Sequence, residues 1–98
     1  MKALNIAEDA RISNLQRVIT AAVITEEVPP KTAKRLRDAA RAVRLYTEAG
    51  ERRLANSVLT QVAAVAPDLG EDTGKALIRH IGRVREYWRF IKEEVQDA

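Results

Sequence analysis

Lys75, Arg79, Arg83, Arg85, Arg89 and Lys92 put six cationic side chains into a span of eighteen residues in which Glu86 is the one acid. Groups of this kind hold anions, and a guanidinium does so through paired N–H donors that match a carboxylate or a phosphate. On a helix, Lys75, Arg79 and Arg83 make one row, and Arg85, Arg89 and Lys92 make a second beside it. Residues 31–53 carry eight basic and three acidic groups. Among them Lys34, Arg37, Arg41 and Arg44 lie opposite Leu36, Ala40 and Val43 on a helical projection. Such surfaces suit an acidic protein face, or a phosphate backbone, which would add salt dependence without sequence readout. They also serve as solvated helix faces, where arginine stems cover apolar surface.

Catalytic constellations are not assembled. His80 is the one histidine and cysteine is absent, which leaves no two-histidine metal site, no zinc triad and no thiol nucleophile within one chain. His80 lies between Arg79 and Ile81 at the border of an apolar stripe, a place for a solvent-edge or capping imidazole. Ser13 and Ser57 lack the flanking glycines of a nucleophile elbow. The stretch DLGEDTGK reaches Gly74 and Lys75 without the spacing of a phosphate loop or a preceding strand. Glu26–Glu27 and Glu93–Glu94 are adjacent pairs whose members diverge by about 100° on a helix, so neither makes a dyad. The expectation is a non-enzymatic chain with no cofactor, no metal and no evident small-molecule substrate.

The elements that must position these charges are helices. Ninety-eight residues make one domain, here 1–98, and only four side chains are Phe, Trp or Tyr, so the core must be built from small and branched aliphatics at close approach. The net charge is a modest +3, with twelve of the seventeen basic residues arginine. The start MKALNIAEDARIS has acidic residues where a signal peptide needs an apolar run. No stretch approaches the roughly 18 apolar residues of a membrane span. A soluble, cytoplasmic chain without membrane contact is expected.

Helical periodicity runs almost throughout, predicting helices over about 5–27, 30–49, 52–66 and 73–96. Ile12, Leu15, Ile19 and Ala22 stripe the first, with Glu8 and Asp9 in its opening turns, where the helix dipole favours anions. The run Val28-Pro29-Pro30 ends it, and Pro30 suits the first turn of the second helix. Leu36, Ala39, Ala40, Val43 and Tyr46 form that helix's apolar side, and Gly50 closes it in a left-handed conformation. The third helix presents Leu54, Ala55, Val58, Leu59, Val62 and Val65 and stops before Pro67. Asp72 or Thr73 is the expected cap of the fourth. Short connections make consecutive helices antiparallel, so the fold class is all-α, a four-helix bundle or two stacked antiparallel helical hairpins.

The fourth helix also carries Leu77, Ile81, Val84, Trp88, Ile91 and Val95 at 4-3-4-3-4 spacing, the pattern of a coiled-coil seam. That seam is expected to pack on the other three helices, or else to build an oligomer or receive a partner helix. Tyr87, Trp88 and Phe90 cannot share one narrow stripe, and Phe90 points toward the charged side.

Leu36 to Leu69 resembles one tetratricopeptide repeat. Ala39, Ala42, Val43, Tyr46, Gly50, Ala55, Leu59 and Pro67 fall at that repeat's spacings, with Ala39 where a large aromatic is usual. The resemblance implies a tight helical hairpin and a peptide-binding groove lined by its first helix. A helix-turn-helix reading of the same turn fails, because Glu51 and Asn56 stand where that motif buries apolar residues. Together these features point to a small interaction or adaptor protein, oligomeric or a subunit of a larger assembly, that docks an acidic protein surface on its basic helix faces. Binding of a nucleic-acid backbone, in a nucleoprotein complex, is the alternative.

Overall fold

The computed structural model describes residues 4–97, with side chains described to Lys92. It contains four helices, α1 (Ile6–Thr25), α2 (Pro30–Glu48), α3 (Arg52–Val65) and α4 (Glu71–Asp97), with a short 3-10 turn at Ala66–Asp68 between the last two. Among the described residues there is no strand, and no helix is long and apolar enough to cross a membrane. The all-α four-helix class follows directly from the apolar periodicity.

Local chemistry sets each boundary. Asn5 opens α1, its side-chain oxygen accepting the Glu8 amide at 2.8 Å, and Glu26 leaves the helix in an extended conformation ahead of the two prolines. Gly50 takes φ 78° and ends α2. The Glu51 amide then reaches back to the Tyr46 carbonyl at 2.8 Å and the Gly50 amide to Thr47 at 3.0 Å, which satisfies carbonyls the helix leaves open. α4 starts at Glu71, ahead of the expected caps. Asp72 therefore sits with Glu71 inside the first turn, where both carboxylates meet the positive end of the dipole.

The core is one continuous cluster. Ile12, Leu15 and Ile19 from α1 meet Leu36 and Val43 from α2, Leu59 and Val62 from α3, and Leu77, Ile81 and Val84 from α4. Burying each of these side chains is worth roughly 1.5–3 kcal/mol before ordering entropy is counted. The α4 seam thus closes within the chain at Leu77, Ile81 and Val84; Trp88 and Ile91 are half-buried, and the side chain of Val95 lies outside the described residues. Two predicted stripe residues fall elsewhere. Tyr46 and Leu54 are exposed, and Thr47 takes the buried place on α2, where its hydroxyl donates to the Val43 carbonyl.

Packing is uneven. α1 lies against both α2 and α4, and α2 against α3, whereas α2 and α4 sit diagonally across the bundle, their backbones apart. α3 and α4 approach each other least closely of the neighbouring helices. The start of α4 instead rests on the 3-10 turn. There a Cβ added to Gly74 would come within 2.6 Å of the Ala66 carbonyl oxygen, while one added to Gly82 would meet nothing within 4 Å.

The two glycines should therefore respond with opposite signs to alanine. Gly74→Ala forces backbone apart and is expected to cost about 1–3 kcal/mol. Gly82→Ala is expected to stabilise by about 0.5–1 kcal/mol, since mid-helix glycine only adds unfolded-state entropy. Urea unfolding of both variants checks this, and a shared sign would refute the close approach at Gly74.

Candidate anion-binding cleft

One end of the bundle is organised around a buried carboxylate. Glu8 continues the α1 stripe at the 4-3-4-3 spacing Glu8, Ile12, Leu15, Ile19, Ala22, which directs it inward, and its side chain is only 3% exposed. Arg52 extends the α3 stripe in the same way, ahead of Ala55, Leu59, Val62 and Ala66. The two meet in a bidentate pair, Arg52 Nε to Glu8 Oε2 at 3.0 Å and Arg52 Nη2 to Oε1 at 2.9 Å. The Trp88 indole N–H donates to Glu8 Oε2 at 2.8 Å. Three helices are thus joined at one carboxylate, and no described side-chain polar atom is left buried without a partner.

A cleft opens beside this layer, between the first turns of α3 and the second half of α4. It has a volume of 910 Å³, with Trp88 and Ile91 for its apolar floor and Arg52, Arg53, Arg85, Arg89 and Lys92 around it. Among the described residues Glu51 is the one acid in its lining. Arg52 is neutralised by Glu8. Arg85 is fixed by neutral acceptors, Nε donating to Asn56 Oδ1 at 2.7 Å and Nη2 to Thr60 Oγ1 at 2.9 Å, so its position is set while no carboxylate among the described residues pairs with it. Among the described residues, Arg53, Arg85, Arg89 and Lys92 form no ion pair.

The six α4 cations therefore do not act as one face. Arg85, Arg89 and Lys92 line the cleft, and Arg52 and Arg53, outside the two helical rows that the sequence singles out, join them from α3. Lys75 pairs with Glu71 at 2.9 Å near the start of α4, and Arg79 borders a separate apolar groove there. Arg83 turns to the α1 side, into a hollow with Arg11, Glu86, Tyr87 and Phe90. In that hollow Arg11 lies over the Tyr87 ring at 5.1 Å, Asn5 donates to the Tyr87 hydroxyl at 2.6 Å, and Phe90 remains 58% exposed.

The α2 row separates too. Arg44 leaves the set of candidate contacts, because it is engaged within the fold. It pairs with Asp9 at 2.7 Å and Glu48 at 3.5 Å and donates to Ser13 and Gln16, binding α2 to α1. Arg37 and Arg41 stay exposed around Asp38. A hydrogen bond from Lys34, and then the charges of Lys34, Arg41 and Arg37, hold that carboxyl below its ordinary value, so part of the row is neutralised locally. Since α2 and α4 are diagonal, the two basic faces do not merge.

Among the described residues no cluster of three or more His, Asp or Glu side chains converges as a metal site. Comparison with protein-family models, with curated proteins and with solved structures gave no match.

The Glu8–Arg52 pair has a definite mutational signature. Arg52→Met leaves a buried carboxylate with the indole as its only described side-chain donor and is expected to cost about 3 kcal/mol, the lower end for a broken buried pair because the Arg52 side chain is 40% exposed. Glu8→Leu should cost less, since Arg52 can turn to water, and the double variant should recover most of the Arg52→Met loss. Urea unfolding of the three proteins measures this, and additive losses would show that the pair is not coupled.

His80 supplies a pH signature. Burial, and then the charges of Arg83 and Arg79, hold its imidazole below the ordinary 6.5. As pH falls the unfolded chain takes up this proton first, so stability is expected to decline through a window that opens at 6.5 and ends at the lower folded value. His80→Gln should flatten that part of the profile, read from urea midpoints at about pH 7.5 and about pH 5.

Proposed function

We propose that this chain is a non-enzymatic, cytoplasmic interaction module, a subunit of a larger assembly, whose α3/α4 cleft receives an acidic, amphipathic segment of a partner protein. The convergence of Arg53, Arg85, Arg89 and Lys92 on an apolar floor of Trp88 and Ile91 carries this reading. A partner with only charge would leave the floor wet, and one with only apolar residues would leave four cations unmatched. Carboxylates on an apolar backing satisfy both. The resemblance of residues 36–69 to a tetratricopeptide repeat would put a peptide groove along α2, whereas the cleft favoured here lies on α3 and α4.

A second reading has its own support. A half-buried indole among arginines is also suited to stacking a nucleobase while the cations take the phosphates. The two occupants separate in one titration, because Trp88 is the only tryptophan and lies in the cleft floor. A synthetic acidic amphipathic peptide and a short thymidine oligonucleotide, each followed by Trp88 fluorescence at low and moderate salt, give the comparison.

The peptide is expected to bind more tightly and to keep part of its affinity in salt through the apolar floor. Reversal of Arg53 and Arg89 to glutamate should weaken it about tenfold or more, and the same reversal of Arg37 and Arg41 should leave it unchanged. Equal losses from both pairs would reduce the effect to overall charge. Tighter binding of the oligonucleotide, with a steep salt slope, would transfer the cleft to nucleic acid.

A further inference from the structure

The basic cleft is not the only opening between α3 and α4. A second groove of 650 Å³ lies where these helices meet the 3-10 turn, lined by Ala63, Leu69, Gly74 and Ile78, with Lys75 and Arg79 at its edge. Both openings follow from the loose approach of the two helices. They also lie on one side of the bundle, which the residue spacing makes plain. Along α4, six of the lining positions, Glu71, Gly74, Ile78, Arg85, Arg89 and Lys92, advance by 3, 4, 7, 4 and 3 residues, flanked by Lys75 and Arg79 on one side and by Trp88 and Ile91 on the other. Such a progression keeps one helix face in view, next to the core seam and parallel to it. On α3, Arg53, Asn56, Thr60 and Ala63 advance by 3, 4 and 3. Between the two openings Arg85 bridges the helices through its bonds to Asn56 and Thr60.

From this we infer that the two openings are one docking trough for a single acidic amphipathic helix of a partner protein, about 18 residues long, with a carboxylate near its middle. The inference rests on the reading of the basic cleft given above and extends it along the bundle. The length comes from the trough itself, since Gly74 to Lys92 spans about 27 Å at 1.5 Å per residue. The partner's apolar residues cover Ile78 and Leu69 at one end and Trp88 and Ile91 at the other. Its central carboxylate meets Arg85, which is already positioned and has no carboxylate partner among the described residues, and its flanking acids meet Arg79, Arg53 and Arg89. Charge complementarity selects this occupant over a second copy of the chain, whose own net charge is +3.

Two synthetic helical peptides of equal length test the extension. Both carry the acidic flanks, the central glutamate and leucines over the Trp88 end. One carries leucines over the Ile78 end as well, where the other has glutamines. Titration followed by Trp88 fluorescence should show the first binding about tenfold more tightly, the gain expected from burying a large aliphatic contact. Ile78 is 47% exposed, so Ile78→Glu should leave the urea midpoint in place and remove that gain. Ile24→Glu, the same charge change on an exposed residue of α1 that lines neither groove, should not. Equal affinity of the two peptides, with no effect of Ile78→Glu, would overturn the continuous trough and leave the basic cleft standing. Failure of both peptides to bind would remove the cleft and the trough together.

Discussion

The carboxylate of Glu8 is the point on which this bundle turns. A buried carboxylate costs several kcal/mol to desolvate and persists only where donors converge on it. Arg52 and Trp88 are those donors, and to reach Glu8 they must come from two other helices at defined depths and rotations. The aliphatic core supplies most of the stabilisation, but apolar packing tolerates sliding and rotation by small amounts. The bidentate pair and the indole N–H do not, because their distances and angles are narrow. The floor of the cleft at Trp88 therefore has its position set from below.

The weak approach of α3 to α4 has a related origin. α1 sits centrally, packing on both α2 and α4, and ties the polar end together through Glu8, Asp9, Ser13 and Gln16. α3 is held mainly by α2 and reaches α4 through the 3-10 turn, the Arg85 bonds and the shared core. Small residues at one end of this interface, Ala63 and Gly74, and long cationic ones at the other leave an opening at each end, with the Arg85 bonds to Asn56 and Thr60 between them. Close packing is the rule inside proteins, and the two openings mark where α3 and α4 depart from it.

Much of the architecture could be read directly from residues. The prolines at 29, 30 and 67 and the glycine at 50 mark helix ends because their backbone chemistry is local. The α4 seam was equally plain as far as Val84. The polar end was harder for an instructive reason. Glu8 and Arg52 each continue an apolar stripe at the correct step, yet their charge favours a solvated reading when each helix is considered alone. Only their pairing reconciles burial with charge, and pairing across 44 residues is not visible in a periodicity. The cleft was half legible for the same reason. Arg85, Arg89 and Lys92 stood out as a row, but the choice of α3 over α2 as their neighbour belongs to tertiary packing, which brings in Arg53 and removes Arg44.

The bond between Trp88 and Glu8 spans 80 residues of chain. A ribosome makes the chain from the amino end, so the Glu8 carboxylate leaves the exit tunnel long before either the indole or most of α4 exists. Until α4 is synthesised, α1 lacks one of its two packing neighbours and Glu8 lacks one of its donors, while Arg52, already made, can pair with it only in water. The α2–α3 hairpin, closed by local contacts around Gly50, is free to form early. The floor at Trp88 is completed only after α4 has been made. A nascent chain that has not yet made Trp88 therefore holds Glu8 without its indole donor, and the floor of the cleft forms only once a loop of 80 residues has closed.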